Sequence, residues 1–345
     1  MRIRGPIRAY FISALNTSKL TYIFFFVPGI FDDANSYDDY MRLMKSINSK
    51  NLKQQLGKVQ NIAYSDPLTQ NNLAHAALDG TILDSNLLVE VLQELYDKGA
   101  QFDQPNIYGH LPINFAVTND IPEAINWFFQ KNPSLLLYIH PEYHMSLAHC
   151  AVAEKSFLAL KALFACQPQL INQVITEGDF ENYAPINYFL AMLVSKIDFR
   201  LDQYLPPDHV IDHGIIEEYE RSKKEPAQKI IDDNDNIKCI TDFLLEESSI
   251  DTFFVPTKFG SVLHVLVRLS YFNGLETVIK RLKSEEESSS TPLQKILDSK
   301  DSDNKSPLFC ALERSVDGYR AARCVLVCPH FWSTLLQSLQ SPDFC

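Results

Sequence analysis

Gly109-His-Leu-Pro-Ile-Asn-Phe-Ala116, Met145-Ser-Leu-Ala-His-Cys-Ala151 and Asn72-Leu-Ala-His-Ala-Ala77 share one pattern and decide the fold. Each is a short apolar run with a polar or turn residue in its first two positions, and each closes on Ala. Placed in register, Ile113 and Leu147 occupy equivalent positions 34 residues apart, and Leu73 and Ile113 stand 40 apart. Three further stretches continue the series: Ala184-Pro-Ile-Asn-Tyr-Phe-Leu190, Gly260-Ser-Val-Leu-His-Val-Leu266 and Lys305-Ser-Pro-Leu-Phe-Cys-Ala311. Self-similarity at this period means stacked supersecondary units, each too small to bury its apolar face alone.

Each unit carries a second apolar run of helical period. Val89-Glu-Val-Leu-Gln-Glu-Leu95, Ala124-Ile-Asn-Trp-Phe-Phe129 and Phe157-Leu-Ala-Leu-Lys-Ala-Leu-Phe164 are examples. Turn residues follow, as in Asp97-Lys-Gly-Ala-Gln-Phe-Asp103 and Gln167-Pro-Gln-Leu-Ile-Asn172. Pro112, Pro185 and Pro307 fit the first turn of a helix, where the missing N–H has no partner to lose. Short helix, turn, longer helix and polar loop together resemble the ankyrin repeat, whose consensus opens Thr-Pro-Leu-His-x-Ala and closes Gly-Ala-Asp-x-Asn. The resemblance is degenerate. In this alignment His264 alone stands at the His position, while Ala74 and Ala148 replace it and His75 and His149 follow one place later.

The resemblance implies an all-α, ankyrin-like helix-turn-helix solenoid of about six units. Its boundaries fall near 66–103, 104–140, 141–175, 176–252, 253–300 and 301–330. Residues 1–65 form a basic and apolar segment with a capping helix, for which Tyr37-Asp-Asp-Tyr-Met-Arg-Leu-Met-Lys-Ser46 has the amphipathic pattern. Residues 331–345 close the other end. The fourth unit carries an insertion over 198–236, with eleven acidic and five basic residues, and Ile237–Leu245 reads as its returning second helix. A second polar insert, Ser284–Ser290, separates units five and six.

Composition agrees. Of 345 residues 46% are hydrophobic, including 22 Phe, which excludes a chain unable to offset its ordering entropy. The net charge of −12 excludes a molecule generally attracted to nucleic-acid phosphates, and no basic patch interleaved with aromatics lies beyond the N-terminal segment. Seven cysteines, an odd number without a regular framework, fit free thiols in a reducing compartment. Residues 1–31 carry Arg2, Arg4, Arg8 and Lys19 with no acid, then Leu20–Phe31 is apolar. This layout resembles a signal peptide, but Asp32-Asp33 lie where small neutral residues should precede cleavage, so an uncleaved capping segment is expected. The run is also too short to span a bilayer, which takes about 20 residues.

Chemistry has few candidates. His209 and His213 share a helical face in the insertion and, with Asp212, could hold Zn²⁺ in a metal-dependent hydrolase. Asp212, however, stands where the inverted zinc-protease motif His-x-x-Glu-His has Glu. Cys324 and Cys328, four apart with His330 nearby, lack a second cysteine pair. Phosphate-binding glycine loops, Gly-x-Ser-x-Gly and Cys-x-x-Cys are absent from the chain. The expected function is therefore a non-enzymatic scaffold or adaptor, without cofactor and monomeric. The ankyrin resemblance implies that it binds a partner protein through loop tips and a concave face. Tyr108, Tyr143, Tyr183 and Phe259 occupy near-equivalent tip positions and are the expected anchors. A cytoplasmic location is expected. The Lys/Asn/Ile-rich style also resembles effectors that intracellular bacteria deliver into host cells, which would place the chain there instead.

Overall fold

The computed structural model describes residues 37–57, 59, 61–203, 235–285 and 292–313. Among them the chain is helical, with no β-strand and only the isolated bridges Ser65–Asn72 and Thr257–Gly260. The described residues divide into two compact units, one made of those within 1–142 and 150–168, the other of those within 143–149 and 169–345. No helix among the described residues is long and apolar enough to cross a membrane.

In the first unit, α1 (Tyr37–Ser46) packs on α2 (Leu52–Leu56) and α3 (Leu73–Ala77). The helices α4 (Ser85–Asp97), α5 (Pro112–Thr118), α6 (Pro122–Lys131) and α8 (Phe157–Cys166) follow; α7 (Leu147–Glu154), before the last, has its first three residues in the second unit. Neighbouring pairs repeat: α3 packs on α4 and α5 on α6, while α3 meets α5 and α4 meets α6, which meets α8. The two helix types differ as this layering requires. Every residue of α3 is buried, because short first helices have neighbours all round. In α4, by contrast, Leu88, Val91, Leu92 and Leu95 form one buried stripe at helical spacing. The closing loop after α4 turns Phe102 under, where its ring lies 5.0 Å from Trp127 and 5.8 Å from Phe128.

Caps fix where these helices start. Asp84 accepts hydrogen bonds from the N–H groups of Asn86 (2.9 Å) and Leu87 (3.1 Å), two donors that α4 itself cannot satisfy. Replacing Asp84 by Ala is expected to cost about 1 kcal/mol in urea unfolding. An unchanged midpoint would show that water satisfies both groups equally well.

The second unit repeats the scheme. Helix α9 (Pro185–Gln203) pairs with α10 (Asp235–Glu247), α11 (Val262–Arg268) pairs with α12 (Phe272–Glu285), α9 meets α11 and α10 meets α12. The expected returning helix is α10, whose Ile237, Ile240, Thr241, Leu244 and Leu245 make its buried stripe. The short helices α13 (Pro292–Leu297) and α14 (Pro307–Glu313) pack on α12 and α11 respectively.

One side-chain position ties successive repeats together. His75, His149 and His264 each stand third in a first helix. The backbone N–H of the capping residue points at Nδ1, from Asn72 (3.2 Å), Ser146 (3.4 Å) and Ser261 (3.1 Å). Nε2 then reaches the carbonyl oxygen of His110 (3.0 Å), Tyr183 (3.0 Å) or Lys305 (2.9 Å). Asn114 and Asn187 take the same place elsewhere: Asn114 accepts from the Leu111 N–H, Asn187 accepts from the Ala184 N–H and donates to the Thr252 carbonyl. This pattern corrects the alignment expected from sequence by one residue in two repeats. Ala74 and Ala148 stand second in their helices, as Ile113 does, and His75 and His149 share the third position with His264. A run of small apolar residues could be slid by one without cost on paper, whereas the imidazole can satisfy its two partners from one position only.

Candidate functional site

Loops between repeats end in short turns, and the four aromatics expected there have different fates. Tyr108 is 51% exposed, whereas Tyr143 and Phe259 are half-buried. Phe259 has the Lys258 ammonium 4.7 Å from its ring centroid. Tyr183 is corrected: it is only 6% exposed, its hydroxyl accepts from the Lys258 N–H (2.8 Å), and its carbonyl is the oxygen held by His149. It is a structural ring. With one ring buried and two half-buried, an even row of four anchors does not form.

Two residues that pattern reading passed over complete the exposed surface around Tyr108. Ile107 is 48% exposed and Leu68, in the preceding turn, 76%. The Ile107 N–H donates to the Thr69 carbonyl (3.0 Å), joining the turns 66–71 and 106–110. Their available signal was an apolar residue inside a run of turn formers, Asp66-Pro-Leu-Thr-Gln-Asn71 and Pro105-Asn-Ile-Tyr-Gly109. Asp66, the nearest acid in the first turn, already accepts from the Thr69 hydroxyl (2.6 Å) and N–H (2.7 Å). The face offered is therefore mainly apolar, with one phenol.

A second grouping has the composition of a metal site. His264, Asp301 and Cys310 are buried, with potential ligand atoms within 4.8 Å of one another. Each is already engaged. His264 Nδ1 faces the Ser261 N–H and hydroxyl, and Nε2 reaches Lys305. Asp301 accepts from the N–H groups of Asp303 (3.0 Å) and Lys305 (2.9 Å), from the Arg268 guanidinium (2.8 Å) and from the Cys310 thiol (3.5 Å). Burial would raise the Asp301 carboxyl, but these donors outweigh it and hold it below the ordinary carboxylate range. The cluster is a turn clamp. Coordination would require breaking most of these bonds.

His209, Asp212 and His213 lie outside the described residues, as do Cys324, Cys328 and His330. The grouping around Asp301 is the only candidate of three or more ligands among the described residues. No protein-family model matches this chain, and no curated protein matches it.

Proposed function

We propose that this chain is an ankyrin-type adaptor, not an enzyme, that binds a partner protein through the turns of its first unit. The observation that carries the reading is the joined pair of turns presenting Leu68, Ile107 and Tyr108 to solvent. The repeating helix pairs and the cross-repeat His and Asn bonds support the family part of it. An apolar surface with one phenol suits a partner contributing a complementary apolar patch, since aromatic anchors dominate such interfaces.

The test compares the full chain with Ile107→Ala/Tyr108→Ala as bait for partner capture, followed by affinity measurement on whatever is recovered. Both side chains are well exposed, so folding stability should change by no more than about 0.5 kcal/mol. Affinity should fall about 10- to 100-fold, as for loss of one or two interface anchors. Equal recovery and equal affinity would remove these turns as the recognition surface.

A further inference from the structure

An asparagine stands in the frame of each turn of the proposed recognition surface. Asn106 opens the turn that carries Ile107 and Tyr108. Its side-chain oxygen accepts from the N–H groups of Tyr108 (3.0 Å) and His110 (2.9 Å). Its own N–H donates to the His110 carbonyl (2.9 Å), and its carbonyl takes the Gly109 N–H (2.9 Å). Asn71 closes the turn that carries Leu68: its carbonyl accepts from the Asp66 N–H (2.8 Å) and its N–H donates to the Thr69 hydroxyl (3.2 Å). The two side chains meet. The Asn106 amide nitrogen donates to the Asn71 side-chain oxygen at 3.0 Å, both residues are buried, and they stand 35 apart in the chain.

The two N–H groups aimed at Asn106 fix which end of its amide is oxygen, so the nitrogen end faces Asn71 and needs an acceptor there. The turn itself does not require an amide. Asp301 opens the turn 301–305 with the same bonds. One of its carboxylate oxygens accepts from the N–H groups of Asp303 (3.0 Å) and Lys305 (2.9 Å). The Asp301 N–H donates to the Lys305 carbonyl (3.0 Å), and the Asp301 carbonyl takes the Asn304 N–H (3.1 Å). A carboxylate therefore suffices to shape such a turn, and what Asn106 adds is a donor directed at the preceding turn. We propose that Asn71 and Asn106 are positioning residues of the recognition surface: their pairing holds the turns 66–71 and 106–110 in one register, so that Leu68, Ile107 and Tyr108 meet a partner as a single preordered face. The Ile107 N–H, bonded to the Thr69 carbonyl (3.0 Å), is the backbone link between the same turns. A face ordered beforehand loses less freedom on binding, so the buried pair acts on affinity through the exposed residues beside it.

The consequence for affinity rests on the adaptor reading; the pairing is tested without a partner. Carboxylates probe it at nearly constant shape. Asn71→Asp alone gives the Asn106 amide a charged acceptor. In Asn106→Asp the carboxylate still serves the Tyr108 and His110 N–H groups, while Asn71 turns its amide over and donates. With both changes two carboxylates face each other, and they repel until one binds a proton and donates to the other. Amide hydrogen exchange on the full chain, followed by mass spectrometry and read against wild type at the same pH, compares peptides covering 66–71, 106–110 and α6. At about pH 7 each single variant should hold both turns within about threefold of wild type, whereas Asn71→Asp/Asn106→Asp should lower the protection of both about tenfold or more and leave α6 unchanged. At about pH 5 the double variant should recover most of that loss. The proposal is overturned if the double variant shows only the product of the single effects, if one turn loosens without the other, if α6 loses protection with them, or if acid restores nothing. Failure here leaves partner capture through Tyr108 untouched, and failure of that capture leaves the exchange result standing.

Discussion

Acidification from about pH 6.5 to about pH 4 is expected to destabilise both units strongly. His75 and His149 are buried, and desolvation lowers each pKa from the ordinary 6.5 to about 4, against a smaller opposing effect of the carbonyl each one bonds. His264 shifts the same way, also mainly through burial. The sign follows from proton counting. Between the folded and unfolded values the unfolded chain binds more protons, so stability falls as pH drops through that window and levels off below it. Each of the two fully buried rings withdraws up to roughly 3 kcal/mol, and a domain typically has about 5–15 kcal/mol to lose.

Urea unfolding followed by circular dichroism across this range should show the midpoint falling steeply. His149→Asn supplies the control, because the chain itself uses Asn114 and Asn187 at the same helix position. Asn keeps an acceptor for the Ser146 N–H and a donor for the next repeat but does not titrate. The variant should be somewhat weaker at neutral pH, with a visibly flatter acid profile. A profile parallel to wild type would mean that His149 is not among the groups responsible.

Gly260→Ala is expected to be the most damaging of the small substitutions. Gly260 has φ +93°, and an added Cβ would lie 2.6 Å from His264 Cγ and 3.0 Å from Asp301 Cβ. The methyl group therefore meets both the ring that ties this repeat to the next and the acid that organises the following turn. Backbone strain and collision together should cost about 3 kcal/mol in urea unfolding. Gly99→Ala separates the two effects: its φ is +84°, but nothing lies within 4 Å of the added atom. It should lose only the conformational part, about 1 kcal/mol. Equal losses in the two variants would show that the His264 ring gives way and is less firmly held than its hydrogen bonds suggest.

Much of the helical layout was legible from pattern alone. The amphipathic run Tyr37–Ser46 is a helix with those limits, and Ile237–Leu245 lies within the observed Asp235–Glu247. Helical periodicity and proline placement are local signals, so they survive without knowledge of neighbours. What was lost depended on distant partners. The slide of one residue at Leu73-Ala-His75 and Leu147-Ala-His149 could be settled only by carbonyls 35 and 34 residues away. Tyr183 looked like its tip counterparts until the Lys258 N–H, 75 residues on, met its hydroxyl. Leu68 was missed for the opposite reason. Leu68 is 76% exposed because none of the described residues covers it, which a pattern of apolar positions does not encode.

The bonds at the third helix position all point one way along the chain. His75 holds His110, His149 holds Tyr183, Asn187 holds Thr252 and His264 holds Lys305, so each side chain secures backbone that is made later. An emerging segment thus meets a donor already set in a finished helix. Shortening the chain from its C-terminal side leaves a ring nitrogen facing water, which is cheap. Removing an earlier segment takes the donor away from a later carbonyl. The order belongs to this helix position: elsewhere it reverses, as where Asn119 donates to the Leu78 carbonyl (2.9 Å) and Arg281 to that of Leu245 (2.6 Å).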